Sequence, residues 1–223
     1  PKKFLGQHFL IDENISKKIV NSFSLKEFDN IVEIGPGKGA LTKYLFEYSD
    51  KLILVEYDTE SVEYIKSSFK IHNPNIIKQD FLKYNLKDVL SQTSKNLIIG
   101  NFPYNISSQI IFKILENYLL VDNLVGMFQK EVAERIISKP NSKEYGIISV
   151  KTQLLYDVKI LFDVSPNVFF PKPRVNSSVI SMTRKKNINI NFDLKLFDRL
   201  VKHSFQQRRK KIKNSLKKFD IQE

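Results

Sequence analysis

Asn101-Phe102-Pro103-Tyr104 brings together residue types that can do chemistry at this spacing. The exocyclic amino group of a nucleobase is a poor nucleophile, because its lone pair is spread into the ring. Two acceptors on its N–H bonds would favour the pyramidal geometry that attack requires. The Asn101 side-chain oxygen is one, and a backbone carbonyl, that of Pro103, is the second, held by the fixed φ of proline. Tyr104 offers a flat face for a base taken out of its stack. Acceptors already aimed at developing positive charge are electrostatic catalysis, and no general base is needed before attack. Asn and Pro are also turn residues, so the tetrapeptide alone is equally well a plain turn.

A second constellation lies upstream. Gly35-Pro36-Gly37-Lys38-Gly39 follows an apolar run. Glycines let the backbone turn tightly and let a ligand approach without a side chain in the way. The loop lacks the Gly-Lys-Ser/Thr ending of a P-loop, and its glycines alternate one by one, unlike the dinucleotide fingerprint. By itself it is also an ordinary tight β–α turn. Its partners raise its meaning. Glu56 ends the next apolar run, about 20 residues on, where an acid can hold two ribose hydroxyls. Asp80 follows the third run and is placed to bond an adenine amino group.

These groups need strand ends to carry them. Ile31–Ile34, Leu52–Val55, Ile76-Ile77 with its flanks, and Leu97–Ile99 read as buried parallel strands. Helical stretches separate them at Ala40–Tyr48, Thr59–Phe69 and Ser107–Tyr118, with Ser107 as N-cap of the last. The alternation predicts an α/β fold with a doubly wound sheet. A fifth strand is expected over Leu124–Phe128, with helices over Glu131–Ser138 and Gly146–Leu155. A hairpin of Val158–Val164 and Ser177–Thr183 is joined by a loop holding Pro166, Pro171 and Pro173. Arg184–Asn191 reads as a polar linker, and from Phe192 onward the pattern is helical. The division expected is residues 1–185 as the catalytic domain and 192–223 as a small helical domain.

Composition narrows the function classes. With no cysteine, disulfides, zinc–thiolate sites and thiol nucleophiles are excluded, and a reducing, cytoplasmic setting is expected. No apolar run approaches the roughly 20 residues a membrane helix needs, and the first residues do not resemble a signal peptide. His72 and His203 have no metal-ligand spacing, so no catalytic metal is expected. The net charge is +12, and between Arg199 and Lys218 nine Lys or Arg stand with no Asp or Glu. An excess confined to one segment reads as a contact surface for a polyanion, against the plainer reading of a solvated helix.

Glu33-Ile34-Gly35-Pro36-Gly37-Lys38-Gly39 resembles the cofactor motif of class I S-adenosylmethionine methyltransferases. The resemblance implies a Rossmann-like sheet, Gly35 and Gly37 beside the methionine part of the cofactor, Glu56 on its ribose and Asp80 on its adenine. Asn101-Phe102-Pro103-Tyr104 is similar to the Asn-x-Pro-Tyr signature of amino-group methyltransferases, in which Leu or Ile is commoner than Phe102.

Further motifs narrow this to the KsgA/Erm family of rRNA adenine dimethylases. They are Phe4-Leu5-Gly6-Gln7-His8-Phe9-Leu10, Ser142-Lys143-Glu144-Tyr145-Gly146, Phe170-Pro171-Lys172-Pro173-Arg174-Val175-Asn176-Ser177 and Phe205-Gln206-Gln207-Arg208-Arg209-Lys210. The second and last favour the small-subunit branch over the Erm enzymes, which methylate large-subunit rRNA. The resemblance implies that His8, where the family often has Asn, and Leu10 lie against the cofactor, with Asn101 touching it too. It also implies S-adenosylmethionine as methyl donor and two adjacent adenines of 16S rRNA, in a pre-ribosomal particle, as substrate. Lys172, Arg174, Arg208, Arg209 and Lys210 are the expected RNA contacts, and a monomer is expected. The family's C-terminal domain is usually longer than the stretch after Arg199, so the helical segment is expected to be incomplete. An assembly factor with secondary activity, or an α/β enzyme of another chemistry, are the competing classes.

Overall fold

The computed structural model describes residues 7–69, 75–188, 190–206, 211–216 and 219. In chain order the strands are β1 (Phe9–Leu10), β2 (Asn30–Ile34), β3 (Leu52–Glu56), β4 (Ile76–Lys78), β5 (Asn96–Asn101), β6 (Asn123–Gln129), β7 (Tyr156–Val164), β8 (Phe169–Phe170) and β9 (Ser177–Arg184). The helices are α1 (Glu13–Val20), α2 (Thr42–Leu45), α3 (Thr59–Phe69), α4 (Ser107–Glu116), α5 (Lys130–Ile137), α6 (Ile147–Leu155), α7 (Leu194–Gln206) and α8 (Ile212–Leu216). Seven strands form one sheet in the order β4-β3-β2-β5-β6-β9-β7. Pairing is parallel from β4 to β6, and β9 runs against both of its neighbours. This is the doubly wound α/β sheet expected from the alternating pattern, and the Rossmann-like sheet implied by the resemblance.

The inner strands read as continuous apolar runs because both faces are covered. Val32, Ile34 and Ile98 point to a core shared with Ile110, Ile111 and Ile114 of α4. Ile31, Leu97 and Ile99 point the other way, to Ile19 of α1, Leu45 of α2 and Ile65 of α3. The chain leaves β2 towards β3 and β4, then returns to place β5 on the other side of β2. That reversal opens a crevice at the carboxyl ends of β2 and β5, the general ligand position in such sheets.

Three local expectations are corrected. The helix expected over Ala40–Tyr48 is shorter, Thr42–Leu45 followed by a 3₁₀ turn over Phe46–Tyr48. Ser107 is not an N-cap: Ile106 holds that position, and the Ser107 hydroxyl donates to the Tyr104 carbonyl at 3.2 Å. A turn closed by Ile106 N–H on the Pro103 carbonyl displaces the helix start by one residue. The loop between the hairpin arms also contains β8, which pairs antiparallel with β1 across some 160 residues of chain. Pro171, after β8, lies outside that short ladder, as proline must.

Helix α7 packs against α6. Asp198 pairs with Lys151 of α6, and with Lys202 at 2.8 Å. The Tyr145 and Phe205 rings lie 6.0 Å apart. Among the described residues, no helix is long and apolar enough to cross a membrane.

Candidate active site

A cleft of about 530 Å³ opens at the carboxyl ends of β2, β3 and β5. Its size is that of a pocket for a small molecule or cofactor. His8, Leu10, Gly35, Gly37, Glu56, Asp80, Asn101, Pro103 and Tyr104 all line it. These were singled out from five separate stretches of sequence, and the fold brings them to one place.

The register explains the meeting of the two motifs. β2 and β5 pair up to Glu33 opposite Ile99, so the glycine loop and the Asn101–Tyr104 turn leave the sheet from neighbouring strand ends. Gly35 and Gly37 have φ of +65° and +56°, which L side chains rarely adopt. A Cβ on Gly35 would meet only Pro103 Cδ, at 4.0 Å, so the space above it is open. Glu56, buried at the end of β3, braces the loop. Its Oε2 accepts from Gly37 N–H at 3.1 Å and its Oε1 from Asp58 N–H at 2.8 Å. Burial raises its carboxyl above the usual range, and backbone donors from Asp58, Gly37 and Tyr57 pull it down. Asp80 lies two residues beyond β4, half-buried, with Oδ1 accepting from Leu82 N–H at 2.9 Å.

The other half of the cleft is held by longer-range ties. Asn101 Nδ2 donates to the His8 carbonyl at 2.9 Å. A carbonyl only accepts, so this bond identifies the amide nitrogen and leaves Oδ1 as the acceptor of that side chain. His8 Nδ1 lies 2.7 Å from the Pro171 carbonyl. By the same reasoning Nδ1 carries the proton. The His8 and Tyr104 rings sit 5.3 Å apart, tilted by 32°. The Tyr104 hydroxyl is bonded to that of Ser177, at the start of β9. Burial holds the Tyr104 phenol above its ordinary range, with the Ser177 bond pulling the other way, so the ring acts as a neutral face. The Pro103 carbonyl accepts from Ile106 N–H at 3.2 Å, which occupies one of its two lone pairs.

Sequence reasoning passed over several residues that build this site. Glu33, 2% exposed beneath the glycine loop, accepts from the Thr42 hydroxyl at 2.7 Å, and burial pushes its carboxyl up to about 8. The signal was an acid inside an apolar strand. Phe102 is no part of the cleft floor's chemistry. It is a buried wedge, edge-on to Phe128, in space left by Gly100 and Gly126. Those glycines are paired on β5 and β6, and a Cβ on Gly100 would stand 2.5 Å from the Phe102 ring. Lys172 and Arg174 are exposed in the proline loop and do not line the cleft. Arg208, Arg209 and Lys210 lie outside the described residues, as do Phe4, Leu5, Gly6 and His72.

Comparison with known proteins gives a consistent picture. The chain is 52% identical over 220 residues to ribosomal RNA small subunit methyltransferase A of Flavobacterium johnsoniae, covering 99% of this chain and 84% of that protein. It is 47% identical to the protein of the same name from Parabacteroides distasonis, covering 97% and 81%. Among solved structures, a dimethyladenosine transferase from Plasmodium falciparum superposes with a TM-score of 0.81 at 27% identity, covering 94% and 75%. The 23S rRNA methyltransferase ErmE shares the fold at a TM-score of 0.71 and 24% identity, covering 94% and 84%. A model of the family described as ribosomal RNA adenine dimethylase matches residues 1–223. With the glycine loop and the Asn-x-Pro-Tyr turn side by side in one cleft, the chain belongs to the ribosomal RNA adenine dimethylase family.

Proposed function

We propose that this chain uses S-adenosylmethionine to dimethylate the exocyclic amino groups of two adjacent adenines near the 3′ end of 16S rRNA during maturation of the small ribosomal subunit. The observation that carries this is that the glycine loop after β2 and the Asn101–Tyr104 turn after β5 line one cleft, a Cβ on Gly35 lying 4.0 Å from Pro103 Cδ, which sets a cofactor cradle against a nucleobase site. The small-subunit relatives at 52% and 47% identity favour 16S rRNA over large-subunit rRNA.

The residues fit the cofactor. Open space above Gly35 leaves room for its methionine part there, with Gly37, whose Cβ position faces the Phe9 ring, alongside. The Glu56 carboxylate, already accepting two backbone N–H bonds, has lone pairs left for a ribose diol. Asp80 would take the adenine amino group, and His8, Leu10 and Asn101 close the cradle. Bound S-adenosylmethionine supplies an electrophilic methyl group carried on positive sulfur.

Everything else falls to the chain. Asn101 Oδ1 and the remaining lone pair of the Pro103 carbonyl accept the two N–H bonds of the target amino group and favour its pyramidal form. Tyr104 lies against the face of the flipped base. As nitrogen gains charge, both acceptors are already in place, so little reorganisation accompanies attack. The proton then passes to solvent. Lys172, Arg174, Arg208, Arg209 and Lys210 hold RNA phosphates, a contact that positions without reading sequence. Residues 192–223 serve as an RNA-binding appendage to the catalytic domain of residues 1–185. The protein acts as a monomer, in the cytoplasm, on a pre-ribosomal particle.

The test is transfer of tritiated methyl groups to purified small and large subunits from cells lacking the gene, with the modified nucleoside identified by mass. Dimethyladenosine in small-subunit RNA is the expected result. Label confined to large-subunit RNA would place the chain in the sister branch, and label in neither would remove the catalytic reading.

A further inference from the structure

Beyond Asn101, the lip of the cleft presents an apolar face that the methyl-transfer chemistry does not use. β1 and β8 pair with Phe9 opposite Phe170 and Leu10 opposite Phe169. Directly opposed residues share one face of a ladder, and neighbours along a strand alternate. Leu10 and Phe169 take the inner face, at 5% and 3% exposure. Ile11 N–H donates to the Val168 carbonyl at 2.9 Å, which carries the ladder one residue further. The outer face therefore bears Phe9, Ile11 and Phe170. Phe9 and Ile11 both border the cleft, and Ile11 and, just outside it, Phe170 are 62% and 64% exposed.

Two cations stand just beyond. Lys172 and Arg174 are exposed and form no ion pair with any of the described residues. The face is continuous with the catalytic turn: Phe170 precedes Pro171, whose carbonyl meets His8 Nδ1, and the His8 carbonyl meets Asn101 Nδ2.

We propose that this lip is a stacking platform for the nucleotide that flanks the target adenine. Phe170, backed by Ile11, lies against the flanking base, and Lys172 and Arg174 take the adjoining phosphates. The inference rests on the RNA methyltransferase reading above. Taking an adenine out of its stack leaves its neighbour with an uncovered face, and an aromatic ring at the cleft mouth offsets that loss. Aromatic rings interleaved with cations suit a single strand, since every base has a π-face and every linkage a charge. An apolar face alone would suit a protein partner too; the two exposed cations and the continuity with the cleft favour the polyanion.

The experiment compares the full chain with Phe170→Ala, Phe170→Trp and the double variant Lys172→Ala/Arg174→Ala. Affinity for unmethylated small-subunit rRNA and for purified small subunits is measured across salt, beside cofactor affinity and methyl transfer. Phe170→Ala should weaken RNA binding roughly tenfold and leave the salt slope unchanged, and Phe170→Trp should restore the affinity. The double variant should flatten the slope by roughly one unit per lost phosphate contact. Cofactor affinity should stay the same in all of them, which also reports an intact fold. Unchanged RNA affinity in Phe170→Ala overturns the platform. Weakened binding to subunits, with naked rRNA bound normally, also overturns it, because the face would then meet a ribosomal protein. A wild-type chain that binds this RNA without methylating it sinks the catalytic reading, while the Phe170 comparison still reads by binding.

Discussion

The two halves of the cleft are built in different ways. The glycine-loop half is assembled from short-range ties: Gly37 to Glu56 is a separation of 19 residues, Thr42 to Glu33 of 9, and Glu56 to Asp58 of 2. The Asn101 half depends on long ones: His8 to Asn101 spans 93 residues, His8 to Pro171 spans 163, and Tyr104 to Ser177 spans 73. The first half is a β–α–β unit that positions its own groups. The second exists only once the N-terminal strand and the proline loop have both docked. Binding a common cofactor needs little beyond the local unit, whereas aiming acceptors at one amino group needs bracing from several directions.

That division can be broken by substitution. Asn101→Ala should lower turnover by roughly 10²-fold or more, the scale of losing one preorganised polar contact. Cofactor affinity by titration calorimetry should stay largely intact, because Asn101 is one of several residues around the cradle. Near-normal turnover would remove Asn101 from the chemistry. Glu56→Ala should act in the opposite sense, weakening the cofactor about 10- to 100-fold through loss of charged hydrogen bonds. Turnover at saturating cofactor should then largely survive. If instead turnover collapsed, the halves would not be separable.

His8 sits on the boundary and sharpens the comparison. Its ring ties to Pro171, and its carbonyl ties to Asn101. His8→Ala should cost about fivefold in turnover, the worth of one ordinary hydrogen bond. A change in cofactor affinity without a change in turnover would assign the residue wholly to the glycine-loop half.

The smallest effect on turnover at neutral pH is expected from Glu33→Gln, and its signature is a pH dependence of stability. Burial pushes this carboxyl up to about 8 from an ordinary 4.5. The folded chain keeps the proton where the unfolded chain has lost it, so stability falls as pH rises from 4.5 to about 8, then levels off. Gln preserves an acceptor for Thr42 and removes that dependence. Melting temperatures should show the variant gaining on wild type as pH rises through this window. A constant difference across it would mean that Glu33 is not buried as a neutral acid.

The same contrast explains what could be read from the chain. The places of Glu56 and Asp80 in the cleft were legible from their joint occurrence after successive apolar runs, since either acid alone is commonly a solvated strand end, and α3 was legible to its boundaries. The place of Asn101 in the cleft was legible because its motif is contiguous. β1 and β8 were not, since two-residue strands carry no period, and their pairing joins segments that no local pattern links. Ser177 was quoted within a motif without a partner, because a hydroxyl's partner is decided by packing. Ser107 was misread as a cap because the preceding turn closes on Ile106. Glu33 is legible only as a member of a buried strand and of the glycine motif, and its proton follows from burial.

Phe102 has a consequence for anyone who would transplant this site. Its ring occupies space vacated by two glycines on adjoining strands. A chimera given Asn-Leu-Pro-Tyr in place of Asn-Phe-Pro-Tyr would inherit a hole directly beneath the Asn101–Tyr104 turn. The reverse exchange, into a scaffold with side chains where Gly100 and Gly126 stand, would have nowhere to put the ring. The four-residue signature is therefore only the visible end of a heritable unit that includes both glycines, and recombination between relatives should respect all three positions together.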